Sequence, residues 1–318
     1  MPDLRAVLIG LGNIGALNDL DQPLDLPPLT HLRAILDNPE IKVSALIERN
    51  ENTCQKVRNR TGIPEAKFFS SVFDLPPDLQ FDIVVYACSP KDRIKQLEFT
   101  KKFKTKIIIF EKPLAESLEQ AQAIFDICDQ NEINALVNFH RRYDSDHDAF
   151  FKQLPDAAPS KIIFNYSKGL WNYGSHGIDL IQNWFGPVKS ILSAIGQSDM
   201  ISGLIELESG TIVHLIADKN RYDVFEFEFF YEEAKYNLKN GGIVKTYQTI
   251  EKDRYHIGYN HLSDEKTLIK PSKVYGLRQL YEDVAKTCHD TSYKLKGCHM
   301  NDAVSGIKII EQLIQQAR

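Results

Sequence analysis

Residues 5–9, Arg5-Ala6-Val7-Leu8-Ile9, run directly into Gly10-Leu11-Gly12-Asn13-Ile14-Gly15. A short apolar strand that delivers a Gly-x-Gly-x-x-Gly turn leaves a chain few choices. The first glycine permits a tight turn, the second lets backbone approach a pyrophosphate, and the third lets the next helix pack close to the strand. The N–H groups at that helix start then face the anion. Gly10, Gly12, Asn13, Ile14 and Gly15 are therefore candidate dinucleotide-binding residues. The pattern predicts a doubly wound parallel sheet with ligands held at the carboxyl ends of its strands.

The next 130 or so residues keep this grammar. Buried-strand patterns at 42–47, 81–88, 107–110 and 134–139 alternate with helical patterns at 52–61, 91–103 and 114–130. Such alternation argues for parallel strands crossed over by helices. One departure is the polar, proline-rich stretch 18–28, which should break the first helix and form a loop near the cofactor or substrate mouth. The helical pattern resumes at Thr30-His31, with Thr30 as N-cap.

Three strand ends carry polar groups that this fold can use. Strand two ends in Glu48-Arg49. Glu48 can accept hydrogen bonds from ribose hydroxyls and would repel a 2′-phosphate, which favours NAD. Arg49 would attract such a phosphate, so NADP is the alternative. Ser89-Pro90, after the strand 81–88, forms a tight turn suited to the nicotinamide side. Glu111-Lys112-Pro113 follows the apolar run Ile107-Ile108-Ile109-Phe110 and places Lys112 where cofactor and substrate can meet. Taken alone, that tripeptide reads more readily as a solvated lysine in a strand-to-helix turn with a proline at the start of the next helix, and its neighbours along the chain reverse that reading. X-Pro is the one common place for a cis bond, and a cis Lys112-Pro113 is expected.

After His140-Arg141-Arg142-Tyr143 the pattern changes. Strands come in runs at 161–166, 188–196, 204–208, 211–218, 225–236 and 243–251, with hairpin signals at Ser209-Gly210 and Asn240-Gly241-Gly242. The chain should divide into domains at 1–140 and 141–318. The second is α+β, an open, largely antiparallel sheet with helices on one face and broad enough to support a homo-oligomer, dimer or tetramer. The last helical patterns, 274–287 and 301–318, should pack back on the domain junction. The helix within 172–186 carries His176 and Asp179 on one face, with Asn172 four residues before the histidine. Gly174 and Gly177 should strip side chains from around the ring and expose it. Arg141, Tyr143 and Lys168 are candidate substrate-binding residues beside Lys112, Asn172 and His176; singly, each reads as well as ordinary surface.

Composition excludes several classes. A net charge of −5 gives no footprint for nucleic acid. No apolar run approaches the roughly 18 residues of a membrane span. The first residues show no signal-peptide pattern, and the five cysteines include no CxxC. A reduced, cytoplasmic setting is expected. Cys288-His289 and Cys298-His299 fit none of the usual zinc spacings, so no metal is expected.

Gly10–Gly15, Glu111-Lys112-Pro113 and Gly174-Ser175-His176-Gly177-Ile178-Asp179 with Trp184, in this order, resemble the Gfo/Idh/MocA oxidoreductases, named for glucose-fructose oxidoreductase and inositol dehydrogenase. The resemblance covers nearly the whole chain. It implies a Rossmann domain joined to an α/β domain with an open sheet, tightly held NAD(P), and hydride transfer at a sugar or polyol carbon. It places the catalytic lysine at Lys112 and the catalytic histidine at His176. Many relatives carry an aspartate where this chain has Asn172. The insertion and Thr30-His31 are similar to members from surface-polysaccharide gene clusters, which implies an activated or acidic sugar as substrate. Two rival classes differ in test. Turnover of any sugar would exclude a non-catalytic dinucleotide-sensing regulator. A cofactor never released would mark an enzyme that uses NAD as an internal redox shuttle.

Overall fold

The computed structural model describes residues 3–220, 222–269, 276–290 and 292–317. The chain forms two units, Met1–Asp144 with Tyr275–Val304, and Ser145–Val274 with Ser305–Arg318.

The first unit begins with six parallel strands: β1 (Leu4–Ile9), β2 (Ile41–Ile47), β3 (Phe68–Phe69), β4 (Ile83–Tyr86), β5 (Ile107–Glu111) and β6 (Ala135–Asn138). Their order is β6-β5-β4-β1-β2-β3. Every residue of β4, β5 and β6 is buried, as strands covered on both faces require. Helices α1 (His31–Asp37), α2 (Glu51–Thr61), α3 (Arg93–Thr100) and α4 (Leu118–Gln130) connect them. Caps set their ends. Asn50 accepts from the Thr53 N–H at the start of α2, and Gly62, at φ +70°, closes it. The helix expected from Leu114 begins at Leu118, because Ser117 accepts the Gln120 N–H and serves as its N-cap.

The second unit holds α5 (Ser145–Phe151), β7 (Lys161–Tyr166) and α6 (Ser175–Phe185). Then come β8 (Val188–Gln197), β9 (Met200–Leu207), β10 (Ile212–Ala217), β11 (Phe225–Phe230) and β12 (Ala234–Lys239). They are followed by β13 (Val244–Lys252), β14 (Asn260–Leu262) and β15 (Lys266–Ile269). The sheet runs β14-β13-β12-β11-β7-β10-β9-β8, with β15 also on β13. Its pairs are antiparallel except β7 with β10, which are parallel. The single strand expected over 225–236 is two, divided by a turn in which the Tyr231 N–H donates to the Ala234 carbonyl. Aromatic residues continue through that turn and hide it from the pattern. Phe225, Phe227 and Phe229 point inward and are wholly buried.

The chain then returns to the first unit. Helix α7 (Gly276–His289) packs Leu277, Leu280, Tyr281 and Val284 into the same core as Leu8, Ile35, Ile83 and Ile109. Strand β16 (Cys298–His299) pairs antiparallel with β6, and α8 (Met300–Gln316) ends the chain. A single division at residue 140 omits this return of 276–304. The signal lies in tertiary packing, since α7 is amphipathic whichever core it serves. No described helix is long and apolar enough to cross a membrane.

Candidate active site

The parallel sheet brings the turns after β1, β2, β4, β5 and β6 to one edge. Gly10 has φ +96°, and a Cβ there would lie 2.9 Å from the backbone of Ala87 and Cys88. A Cβ on Gly15 would lie 2.1 Å from the Gly10 carbonyl oxygen. Both positions demand glycine, for conformation and for closeness. Gly12 differs: a Cβ there meets nothing within 4 Å. That open ground in front of the turn leaves room for a diphosphate. Asn13–Leu17 form one wide helical turn, and its first N–H groups have no partner within the helix. Glu48 follows β2 and braces the turn, accepting from the Leu11 N–H at 2.9 Å and the Asn50 N–H at 3.0 Å. Each carboxylate oxygen keeps a lone pair for a ribose hydroxyl. Arg49 is exposed. These residues fit a dinucleotide.

Beside this turn, Ser89 caps a short helical turn over Pro90–Asp92. Arg93 follows. Its buried guanidinium donates to the carbonyls of Glu111 (3.0 Å), Pro113 (2.7 Å), Leu114 (2.7 Å) and Cys88 (2.9 Å). It thus ties the turn after β4 to the turn after β5. No sequence motif announced it. Its only sequence signal is position: Arg93, Leu97 and Thr100 share the buried stripe of α3.

The Lys112-Pro113 bond is cis. Glu111, at the end of β5, is buried. Its Oε2 accepts the Lys112 N–H at 3.1 Å, while its Oε1 accepts from Asn138 Nδ2 at 2.6 Å and meets His31 Nε2 at 2.9 Å. Burial pushes the Glu111 carboxyl up, but the hydrogen bonds and charge around it win and hold it below the usual range. Lys112 is half-buried. Desolvation lowers its amine from the ordinary lysine value; Glu111 opposes that shift and Arg141 adds to it. The turn after β6 carries His140, whose imidazole burial and then Arg141 push down to about 4.

Arg141 is half-buried and lies in that same short helix, His140–Tyr143. Tyr143, expected to hold substrate, is a core residue instead. Its hydroxyl donates to Asp283 at 2.8 Å, and its ring lies against Gly297. Lys168, of the second unit, is exposed and paired with Asp223 at 2.7 Å. His176 and Asp179 sit in α6, at 3% and 4% exposure. Asn172 lies in the turn before that helix, where its carbonyl accepts from Ser175 Oγ at 2.7 Å. The expectation that Gly174 and Gly177 bare the histidine is corrected. A Cβ on Gly177 would lie 1.9 Å from the Phe164 ring, and one on Gly174 would lie 2.9 Å from Leu170. These glycines let the helix press onto the sheet.

The insertion does break the first helix. Its loop closes over α1 and the last turn of α2 around a cavity of about 490 Å³ lined by Asp19, Leu24, Arg33, Leu36, Arg60 and others. Among the described residues no three His, Cys, Asp or Glu side chains are grouped to hold a metal ion.

No curated protein matches the chain in sequence. Solved structures share its fold. The WlbA dehydrogenase from Bordetella pertussis, in complex with NADH and UDP-GlcNAcA, has a TM-score of 0.76 at 14% identity, over 100% of this chain and 96% of that one. The UDP-N-acetylglucosamine 3-dehydrogenase GnnA from Acidithiobacillus ferrooxidans scores 0.73 at 14%, over 98% and 97%. The K102A mutant of KijD10, a 3-ketoreductase from Actinomadura kijaniata in complex with TDP-benzene and NADP, scores 0.76 at 13%, over 99% and 98%. Residues 4–139 match the profile described as an oxidoreductase family with an NAD-binding Rossmann fold. That match shows a Gfo/Idh/MocA-type NAD-binding Rossmann domain over residues 4–139, and the rest of the chain shares with these solved structures the fold alone.

Proposed function

We propose that this protein is an NAD-dependent dehydrogenase or ketoreductase acting on a secondary alcohol, or its ketone, in a nucleotide sugar. One observation carries the reading. A half-buried lysine with a lowered amine pKa stands at the end of β5, on the strand-end edge that also holds the open glycine turn. The nucleotide-sugar class is supported by the fold shared with WlbA, GnnA and KijD10.

Gly10–Gly15 would hold the diphosphate, Glu48 a ribose, and Ser89, Pro90 and Glu111 the nicotinamide side. When bound, nicotinamide supplies the carbon that takes or gives the hydride. Lys112 hydrogen-bonds the reacting oxygen and stabilises negative charge as it develops. Oxidation of an alcohol also releases the hydroxyl proton, and His176 takes or relays it. Asn172 can offer a hydrogen bond but no charge, so His176 is a weaker base than one beside an aspartate. Lys112 then carries more of the transition-state charge. Arg141 and Lys168 would each hold a sugar phosphate or carboxylate. None of the five cysteines is in a disulfide, in keeping with a cytoplasmic enzyme, and the open second sheet suits a homo-oligomer.

Mass spectrometry of the nucleotide released on denaturing purified protein tests the cofactor half of this reading. NAD or NADH is expected. Absence of any dinucleotide, with no heat on calorimetric titration of NADH or NADPH, would overturn it.

A further inference from the structure

The insertion ends at a buried chain of polar groups that reaches Lys112. Asp19, 4% exposed, closes the loop. Its Oδ2 accepts from the N–H groups of Leu29 (2.6 Å) and Thr30 (2.9 Å), and its Oδ1 accepts from Thr30 Oγ1 (2.6 Å). Thr30 Oγ1 also accepts the Arg33 N–H at 3.2 Å, capping α1. The first residue of that helix is His31, which is wholly inaccessible to solvent. Its Nδ1 lies 2.8 Å from the Tyr281 hydroxyl and its Nε2 lies 2.9 Å from Glu111 Oε1. Nε2–H donates to the carboxylate whether the ring is neutral or charged, and the tyrosine hydroxyl serves Nδ1 in either role. Asn138 cannot turn over, since its Nδ2 already donates to Glu111 at 2.6 Å and an oxygen there would face an oxygen. The remaining carboxylate oxygen accepts the Lys112 N–H. Donors from α1, β6 and the turn after β5 thus converge on one anion adjacent to Lys112, and α7 reaches it through His31.

We propose that His31 and Tyr281 are positioning residues for Lys112: anchored through Asp19 and Thr30, they hold Glu111 as a fixed anion behind the lysine and thereby set the pH at which Lys112 gives up its proton. The charged groups that act on the Lys112 amine are Glu111 on β5 and Arg141 after β6, and His140 beside Arg141 also senses Lys112, while His31 on α1 and Tyr281 on α7 act through Glu111. Of these, the Glu111 carboxylate raises the lysine's proton affinity, while burial and Arg141 lower it. Removing His31, the largest of the influences that hold Glu111 ionised, therefore weakens the opposition to those lowering influences. The insertion, on this view, is a strut for the reacting edge.

The proposal rests on the assignment of Lys112 to the reacting oxygen, but its test needs no sugar. Lysines of the purified protein are reductively methylated with ¹³C, and the Lys112 resonance is identified by its loss in Lys112→Arg. Its titration is then followed by NMR. His31→Leu should lower the midpoint by roughly one pH unit, the size expected when an adjacent opposite charge is lost. His31→Gln keeps a donor near the Nε2 position and should retain the wild-type midpoint. Glu111→Gln should lower the midpoint as well, and it carries the test alone if His31→Leu does not fold. A folded His31→Leu or Glu111→Gln with an unmoved midpoint would overturn the proposal. So would a His31→Gln that shifts as far as His31→Leu. Shifted midpoints in a protein that turns over no nucleotide sugar would refute the functional reading alone; turnover with unmoved midpoints would refute only the positioning role.

Discussion

Lys112 is held by backbone and by charge, and its neighbours make separable predictions. Lys112→Ala should abolish turnover while leaving NADH affinity within about twofold, because the binding turn lies on β1; a loss of 10²–10⁴-fold is typical for a positioned proton-handling group. His176→Ala should cost less, and Asn172→Asp should shift the pH–rate profile. Arg93→Met would leave four carbonyls, two of them buried and two part-buried, without their donor. Each unsatisfied group costs about 1–3 kcal/mol, so urea denaturation should show a stability loss of at least about 3 kcal/mol; a loss under about 0.5 kcal/mol would show that these carbonyls find other partners. His140 gives a pH prediction. Its folded pKa of about 4 lies below the ordinary 6.5, so the unfolded chain binds the proton first. The neutral ring's contribution is complete above about 6.5 and is lost as pH falls toward 4. His140→Asn should flatten the slope of Tm against pH across that window, and an unchanged slope would contradict the assignment. The glycines, Glu48 and Lys112 are legible in sequence because each belongs to a local motif. Arg93, Asn138 and Tyr281 are not, and His31 is legible only as part of a likeness, because their meaning arises only where α3, β6, α7 and α1 meet the end of β5.

At the scale of elements, the parallel half was readable because its strands are mostly apolar and three of its four helices have side-chain N-caps. The second half was readable in kind and not in detail. Phe225, Phe227 and Phe229 mark one strand face, but the aromatic run continues through Tyr231, so the turn before β12 passes unseen. The parallel pairing of β7 with β10 is a matter of topology, on which local alternation is silent. Helix α6 shows how a motif can mislead: its small residues suggested an open histidine, yet they serve close contact with Phe164 and Leu170. Gly177→Ala should therefore overpack the contact and destabilise the protein by about 1–3 kcal/mol. Adding Phe164→Leu should recover part of that loss. Thermal unfolding of the two single variants and the double variant measures it, and simple additivity would mean that Phe164 is not the obstacle.

At the scale of the molecule, the N-terminal domain is an NAD-binding Rossmann domain matched by profile, and the fold is an architecture shared along the chain with solved oxidoreductase structures. The choice of cofactor reduces to the end of β2. Glu48→Ala should weaken NADH binding and narrow its preference over NADPH; a wild-type preference for NADPH that Glu48→Ala leaves unchanged would mean that Glu48 does not read the ribose. The central claim is hydride transfer on a nucleotide sugar with Lys112 at the reacting oxygen. The most direct measurement is the reduced-nicotinamide absorbance of purified protein mixed with a panel of UDP- and TDP-sugars, in the wild type and in Lys112→Ala. The account predicts a change with at least one sugar in the wild type and none in the variant, with NADH still bound by both. An absorbance that no sugar alters in the wild type, or one that Lys112→Ala alters equally well, would contradict it.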